Sequence, residues 1–312
     1  MPLIRLNAEG SKLSLHNSPG HWRPCLNRAA RGTGPIIIMT HGFKYAPARD
    51  LTCPHTRIFS TGAAQKLAKS AQWLQPLGFG AGECDEGLAV AFGWNACGTV
   101  WTARKSAVAA GRRMADIIAQ ILRAAPDRPV HLIAHSMGSE VILIALRHLP
   151  ANSVNRIVFL TGASYQSDAA EALKTGAGQT AEIINVISRE NDVFDFLFEH
   201  AIAPPTPGDR TIGSGIHALN AINIQLDCIL TLNQLNAFGV SISPPTRRVC
   251  HWSSYTRPGV LQFYAGLLRH PEKFPLKTLK RALPDQHSPR WSSLFNLPIL
   301  PVSAGQTKES KP

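Results

Sequence analysis

The 312-residue chain has no Cys-x-x-Cys pair, no His-Glu-x-x-His run and no apolar stretch approaching the roughly 20 residues that cross a bilayer. Each absence removes a class. Its six cysteines (Cys25, Cys53, Cys84, Cys97, Cys228, Cys250) are scattered, and a chain this long buries enough core to fold without a disulfide framework, so they are expected to be reduced. Twelve histidines raise the question of a metal, but His131 and His135 fall on a strand and a turn rather than on one helical face, and neither metal nor organic cofactor is expected. The first nine residues lack the basic start and apolar centre of a secretion signal, so the expected location is cytoplasmic, without stable membrane insertion. Acidic residues are few, 20 against 32 Lys and Arg, for a net charge of +12. Because the basic residues are dispersed and the sparse aromatics do not alternate with them, nucleic acid is not an expected partner.

What is present reads as a globular α/β chain, 44% apolar and 17% charged. Largely apolar runs at 35–40, 88–94, 130–134, 156–163 and 182–188 read as strands, and the continuous β-branched run at 35–40 fits one buried on both faces, as in a parallel sheet. Helices are expected at about 57–73, 99–122, 141–149, 167–173, 193–199, 218–238 and 258–268. The Gly-rich segment 174–180 reads as a loop and not as a phosphate-binding one.

The most informative stretch is Val130-His131-Leu132-Ile133-Ala134-His135-Ser136-Met137-Gly138-Ser139-Glu140. It puts Ser136 at a strand-to-helix turn with small residues two positions to either side, where a strained backbone lifts a hydroxyl clear of the sheet edge. The following helix adds its N-terminal dipole and the N–H of Met137. This stretch resembles the nucleophile elbow of the α/β-hydrolase superfamily, with Ala134 where the commoner form has glycine. His41-Gly42-Phe43, ending an early strand, is similar to that superfamily's oxyanion loop; the resemblance implies Phe43 N–H as the partner of Met137 N–H, with His41 orienting the loop. The strand ending at Trp94, a Gly-bearing turn and a long helix before the elbow are similar to a mostly uncharacterised bacterial branch.

A serine nucleophile needs an imidazole base held by an acceptor. In the superfamily's chain order the acid lies after the serine and before the histidine; Asp192 is the first choice, with Asp195 and Glu190 open, and an Asp here could also simply cap the helix that follows. His251, before a late helix, is the expected base, with His217 in reserve. Tyr45, Trp94, Phe194 and Trp252 are the expected substrate-pocket residues, Trp94 equally fitting the core.

The fold expected is that of an α/β-hydrolase, a mostly parallel sheet with helices on both faces and a helical insertion before the catalytic histidine. Residues 1–34 would be an arm or edge strands, 35–270 the hydrolase domain, with 201–246 a lid, side wall or peripheral helix pair, and 271–312 a basic Pro-rich tail holding at most a short helix at 276–283. The expected function is a serine hydrolase of small carboxylic esters, with lipase, thioesterase and amidase chemistry open; the alternative is a non-catalytic protein that binds a ligand or partner through the same pocket.

Overall fold

The apolar runs become strands of a single sheet. In the computed structural model, which describes residues 2–47, 49–61, 72–285 and 288–295, the strands are β1 (Leu3–Glu9), β2 (Lys12–Leu15), β3 (Ile36–Thr40), β4 (Leu88–Trp94), β5 (Val130–His135), β6 (Arg156–Leu160), β7 (Glu182–Ile187) and β8 (Ala221–Gln225). Their order is β2-β1-β4-β3-β5-β6-β7-β8. Every pairing is parallel except β1 with β2. β3 to β6 are buried along their whole length, which is why they read as unbroken apolar runs.

Side chains alternate between two cores. Ile36, Ile38, Leu132 and Ala134 face one layer, with α1 (Trp22–Ala30), α2 (Val100–Ala124), α3 (Gly138–Leu146) and α4 (Gln166–Leu173). Ile37, Met39, Ile133 and Val158 face the other, with α7 (Ile229–Ala237), α9 (Val260–Arg269) and α10 (Leu276–Ala282). The result is a three-layer α/β architecture of the α/β-hydrolase type. β4 follows β3 on one side and β5 joins it on the other, so the chain reverses direction across the sheet at β3. The carboxyl edge at such a reversal is where open α/β sheets bind ligands.

Several segments differ from the sequence reading. The stretch 218–238, expected to be helical throughout, divides into β8 and α7: Ile222 and Ile224 face a core, while Asn223 points the other way, accepting from Asn185 Nδ2 at 2.9 Å and from Ile216 N at 2.8 Å. That period of two is a strand's. Residues 174–180 contain a short helix, α5 (Gly176–Thr180), because the Thr175 hydroxyl accepts from Gly178 N and caps it. Trp22–Ala30 is a helix despite Pro24, which lies in its first turn, where a backbone N–H has no intrahelical partner in any case. Of the helix expected at 57–73, residues 62–71 lie outside the described residues, and those on either side form turns. The tail expectations beyond residue 295 lie outside them too.

α3, which carries the turn at Ser136, is set by its contact with α2. A Cβ at Gly111 of α2 would stand 2.6 Å from Ile144 Cβ and 2.7 Å from the Val141 carbonyl oxygen. Gly111→Ala is therefore expected to destabilise the protein by about 1–3 kcal/mol through overpacking, although alanine gains about 1 kcal/mol in helix propensity. A lower urea midpoint with unchanged slope would confirm this; a higher midpoint would mean that α2 shifts freely and does not fix α3.

Candidate active site

Ser136 has φ +53°, a left-handed backbone that a residue with a side chain adopts only when its surroundings impose it. They do so from both sides. Ser136 N donates to Leu160 O at 3.0 Å, and Ser136 O accepts from Ser139 N and Ala163 N at 3.0 Å and from Ser139 Oγ at 2.8 Å. The loop after β3 lies directly against this turn: a Cβ at Gly42 would be 2.6 Å from Ser136 Cβ and 3.2 Å from its Oγ. A Cβ at Gly138 would be 2.7 Å from His41 O. Two glycines thus bring the Phe43 and Met137 segments together at Ser136. Neither Phe43 N–H nor Met137 N–H donates to a protein acceptor among the described residues.

His41 is fully buried and braces that loop. Trp94 N donates to His41 Nε2 at 3.1 Å, so the ring proton sits on Nδ1, which donates to Gly42 O at 2.9 Å. Trp94 Nε1 donates to His41 O at 3.2 Å, and the two rings stack 5.4 Å apart. Trp94 is itself fully buried; it therefore supports the loop from the core and does not line an open pocket. Burial holds the His41 imidazole neutral, with its pKa lowered to about 4.

His251 is fixed through its backbone. Its carbonyl accepts from His135 Nε2 at 3.1 Å and from Thr161 Oγ1 at 3.3 Å, groups at the ends of β5 and β6, while Cys250 N donates to Glu190 O at 2.9 Å. The ring stacks on Phe194, centroids 4.7 Å apart, and meets Trp252 edge-on at 6.0 Å. Burial, aided by neighbouring His135, lowers its pKa well below the usual imidazole range. The same desolvation lowers His135 to about 4. Among the described residues His251 Nδ1 meets Asn191 Oδ1, and no hydrogen bond joins Ser136 Oγ to His251 Nε2.

The residue on His251 Nδ1 is Asn191, whose Oδ1 is 2.6 Å away, and not Asp192. Asn191 occupies the N-cap of α6 (Asp192–Ala201), yet its side chain makes no capping bond, the usual use of asparagine there, because it is turned to the imidazole. Asp192 points elsewhere: it accepts from Trp291 N at 2.6 Å and pairs with Arg189 at 3.2 Å. Burial raises its pKa while Arg189 opposes the shift. Glu190 is committed to a buried ion pair with Arg257. His217, the reserve base, lies on an exposed loop before β8. The aromatics at the His251 side are Phe194, half-buried, and Trp252, largely exposed, with ring centroids 6.1 Å apart; Tyr45, half-buried, lies 5.4 Å from the His41 ring.

Nothing in the sequence singles out Asn191, since an asparagine before a helix reads as a cap and the partner of a catalytic imidazole is most often a carboxylate. Residues 93–226 match the family model described as "Protein of unknown function (DUF726)". No curated protein matches the chain. Among solved structures, the chain is similar to Pyrococcus horikoshii acylaminoacyl peptidase (orthorhombic crystal form), at 10% identity and a TM-score of 0.35, over 83% of this chain and 38% of that one. The chain thus spans little more than a third of that protein.

The neutral buried histidines predict an acid limb in the stability profile. His41 and His135 bind a proton in the unfolded chain near pH 6.5 but in the folded protein only near pH 4. Each therefore contributes stability above pH 6.5 that is lost as the pH falls towards 4, on the order of 3 kcal/mol per imidazole. Urea midpoints measured between pH 7 and pH 4.5 should fall steeply, and less steeply in His41→Gln. An identical slope in parent and variant would mean that His41 protonates freely while folded.

Proposed function

We propose that this protein is a serine hydrolase acting on carboxylic esters, with Ser136 as nucleophile and His251 as general base. The observation that carries this reading is the left-handed Ser136 seated against Gly42, with the unpaired Phe43 and Met137 amides beside it. A strained, non-glycine turn is kept only where something requires it, and two N–H groups without a protein acceptor among the described residues, Met137 at the N-terminus of α3 and Phe43 on the facing loop, suit a developing oxyanion. In the reaction, His251 Nε2 takes the Ser136 proton as Oγ attacks the ester carbonyl, and the two amides stabilise the tetrahedral oxyanion. Collapse expels the alkoxide, which receives the proton from His251; water, deprotonated by His251, then attacks the acyl-enzyme, and the second intermediate collapses by breaking the bond to Ser136 Oγ, which takes the proton back from His251 as the acid leaves. Asn191 is the acceptor on Nδ1 in this reading, in the role first assigned to Asp192. Its neutral amide holds the ring and its tautomer, as the asparagine of Cys-His-Asn enzymes does, but adds no charge to stabilise the imidazolium. The lowered pKa of His251 favours a base that is free at neutral pH and a weak one. Phe194 and Trp252 suit an apolar acyl or alcohol group, and the chemistry needs no metal or organic cofactor.

A fluorescent fluorophosphonate reports an activated serine without knowledge of the substrate. We expect the parent to be labelled at Ser136 by peptide mapping, with labelling reduced at least ~10³-fold in Ser136→Ala and His251→Ala. A folded parent that resists the probe would defeat the hydrolase reading and favour the non-catalytic binding role.

A further inference from the structure

The amide of Asn191 has two chemically different ends, and only one serves His251. With Oδ1 towards the imidazole, His251 Nδ1 must carry the proton and Nε2 is left as a base; with the amide reversed, Nδ2–H would face Nδ1 and force the proton onto Nε2, where it blocks proton abstraction. Something must hold the amide in the first sense. Asp195 lies one helical turn after Asn191 on the same face of α6, and both side chains are buried, 3% and 1% exposed. The Asp195 carboxylate is wedged against Gly213, where any Cβ would overlap Oδ2, and Arg189 Nη2 fastens that strip by donating to Gly213 O at 2.7 Å. Confined there, one turn along the same face, the Asp195 carboxylate faces the Asn191 side chain, whose Oδ1 is already turned to His251 Nδ1 at 2.6 Å. A carboxylate can only accept, so the end of the amide it favours is Nδ2, which leaves Oδ1 for His251.

We propose that Asp195 is the positioning residue of this site: its carboxylate fixes the sense of the Asn191 amide and thereby keeps the proton on His251 Nδ1 and off Nε2. The proposal rests on the hydrolase reading for its consequence in catalysis, but not for the placement of the proton. It also gives the site a dependence on pH that the imidazole alone lacks. Burial pushes the Asp195 carboxyl up to about 7; Arg189 beside it and Arg290 from the segment packed over α6 oppose the shift, as does the Asn191 amide, while Asp192 on its own helix adds to it. Once protonated, Asp195 can offer its O–H to the amide oxygen, and the amide is no longer held in one sense. His251 itself titrates well below its usual range, so a transition near pH 7 belongs to Asp195.

The test uses the full chain with histidine nitrogens labelled, the His251 resonances being assigned by their loss in His251→Gln. In the parent, ¹⁵N shifts should report the Nδ1–H tautomer of His251, and the fluorophosphonate rate at Ser136 should rise as the pH passes through about 7. Asp195→Asn offers the amide both a donor and an acceptor. It should give a mixed tautomer, lose the rise near pH 7 and label roughly 10²-fold more slowly. In an Asn191→Asp background, where a carboxylate faces His251 directly and has no wrong end, Asp195→Asn should cost less than about threefold. Equal losses in both backgrounds would mean that Asp195 only supports the fold, and an unchanged tautomer and rate in Asp195→Asn would overturn the proposal outright. Should the parent not be labelled at all, the hydrolase reading fails, while the nitrogen shifts still decide where Asp195 holds the proton.

Discussion

The structure turns on a contact that leaves no room for a methyl group: the loop after β3 against the turn after β5, with Gly42 beside Ser136 and Gly138 beside the His41 carbonyl. Neighbouring parallel strands stand nearly 5 Å apart, and their exit loops approach this closely only where both backbones are bare. The rest of the layout serves that approach. β3 and β5 are adjacent in the sheet, α3 leaves the turn at the angle that Gly111 of α2 allows, and the stacked His41–Trp94 pair backs the loop from the core.

A second constraint is electrostatic. From the turn after β7 into the start of α6 the chain buries Glu190, Asp192 and Asp195 within six residues, each near an arginine supplied by Arg189, Arg257 or Arg290. A carboxylate at position 191 would be a fourth buried acid in the same turn, with no cation of its own, and desolvating it would cost several kcal/mol. An amide there passes polarity from Asp195 towards His251 without adding a charge. The histidines follow the same logic: His41 and His135 are kept neutral and used as fixed hydrogen-bond parts, one donating to Gly42 O and the other to the His251 carbonyl.

Much of this architecture was legible in the sequence because the strands around the site are buried on both faces and so carry unbroken apolar runs, from Ile36-Ile37-Ile38 to Ile183-Ile184. The turn at Ser136 was legible from the small residues flanking it. β8 was not, since Ala221-Ile222-Asn223-Ile224-Gln225 lies inside a longer apolar stretch whose period is ambiguous until Asn223 is seen bonding to Asn185. α1 was obscured by Pro24 and by its basic composition; only Leu26 and Ala30 of it are buried. The expectation of Asp192 on His251 missed by one residue. Residue type suggested a carboxylate, whereas one step along a helical turn rotates a side chain by about 100°, enough to send Asp192 to Trp291 N and leave Asn191 facing the ring. No pattern in sequence resolves such a rotation.

The strand order bears on how the molecule comes to exist. β3 is made early in the chain, yet both of its neighbours, β4 and β5, come later, and β4 must enter between β3 and a β1 synthesised more than 75 residues before it. His251 arrives later still, its carbonyl fastened to His135 and Thr161 at the ends of β5 and β6 and its ring to Asn191 after β7. Contacts this distant in sequence close slowly, because chain entropy is lost before they repay it. During synthesis the sheet would therefore present an unfilled slot beside β3 for as long as it takes to make β4 and β5, an interval in which a bare parallel edge invites pairing with a foreign strand. His251 is thus made only after every strand of the sheet, so the segment that meets Asn191 docks on an edge whose strands are already present in the chain.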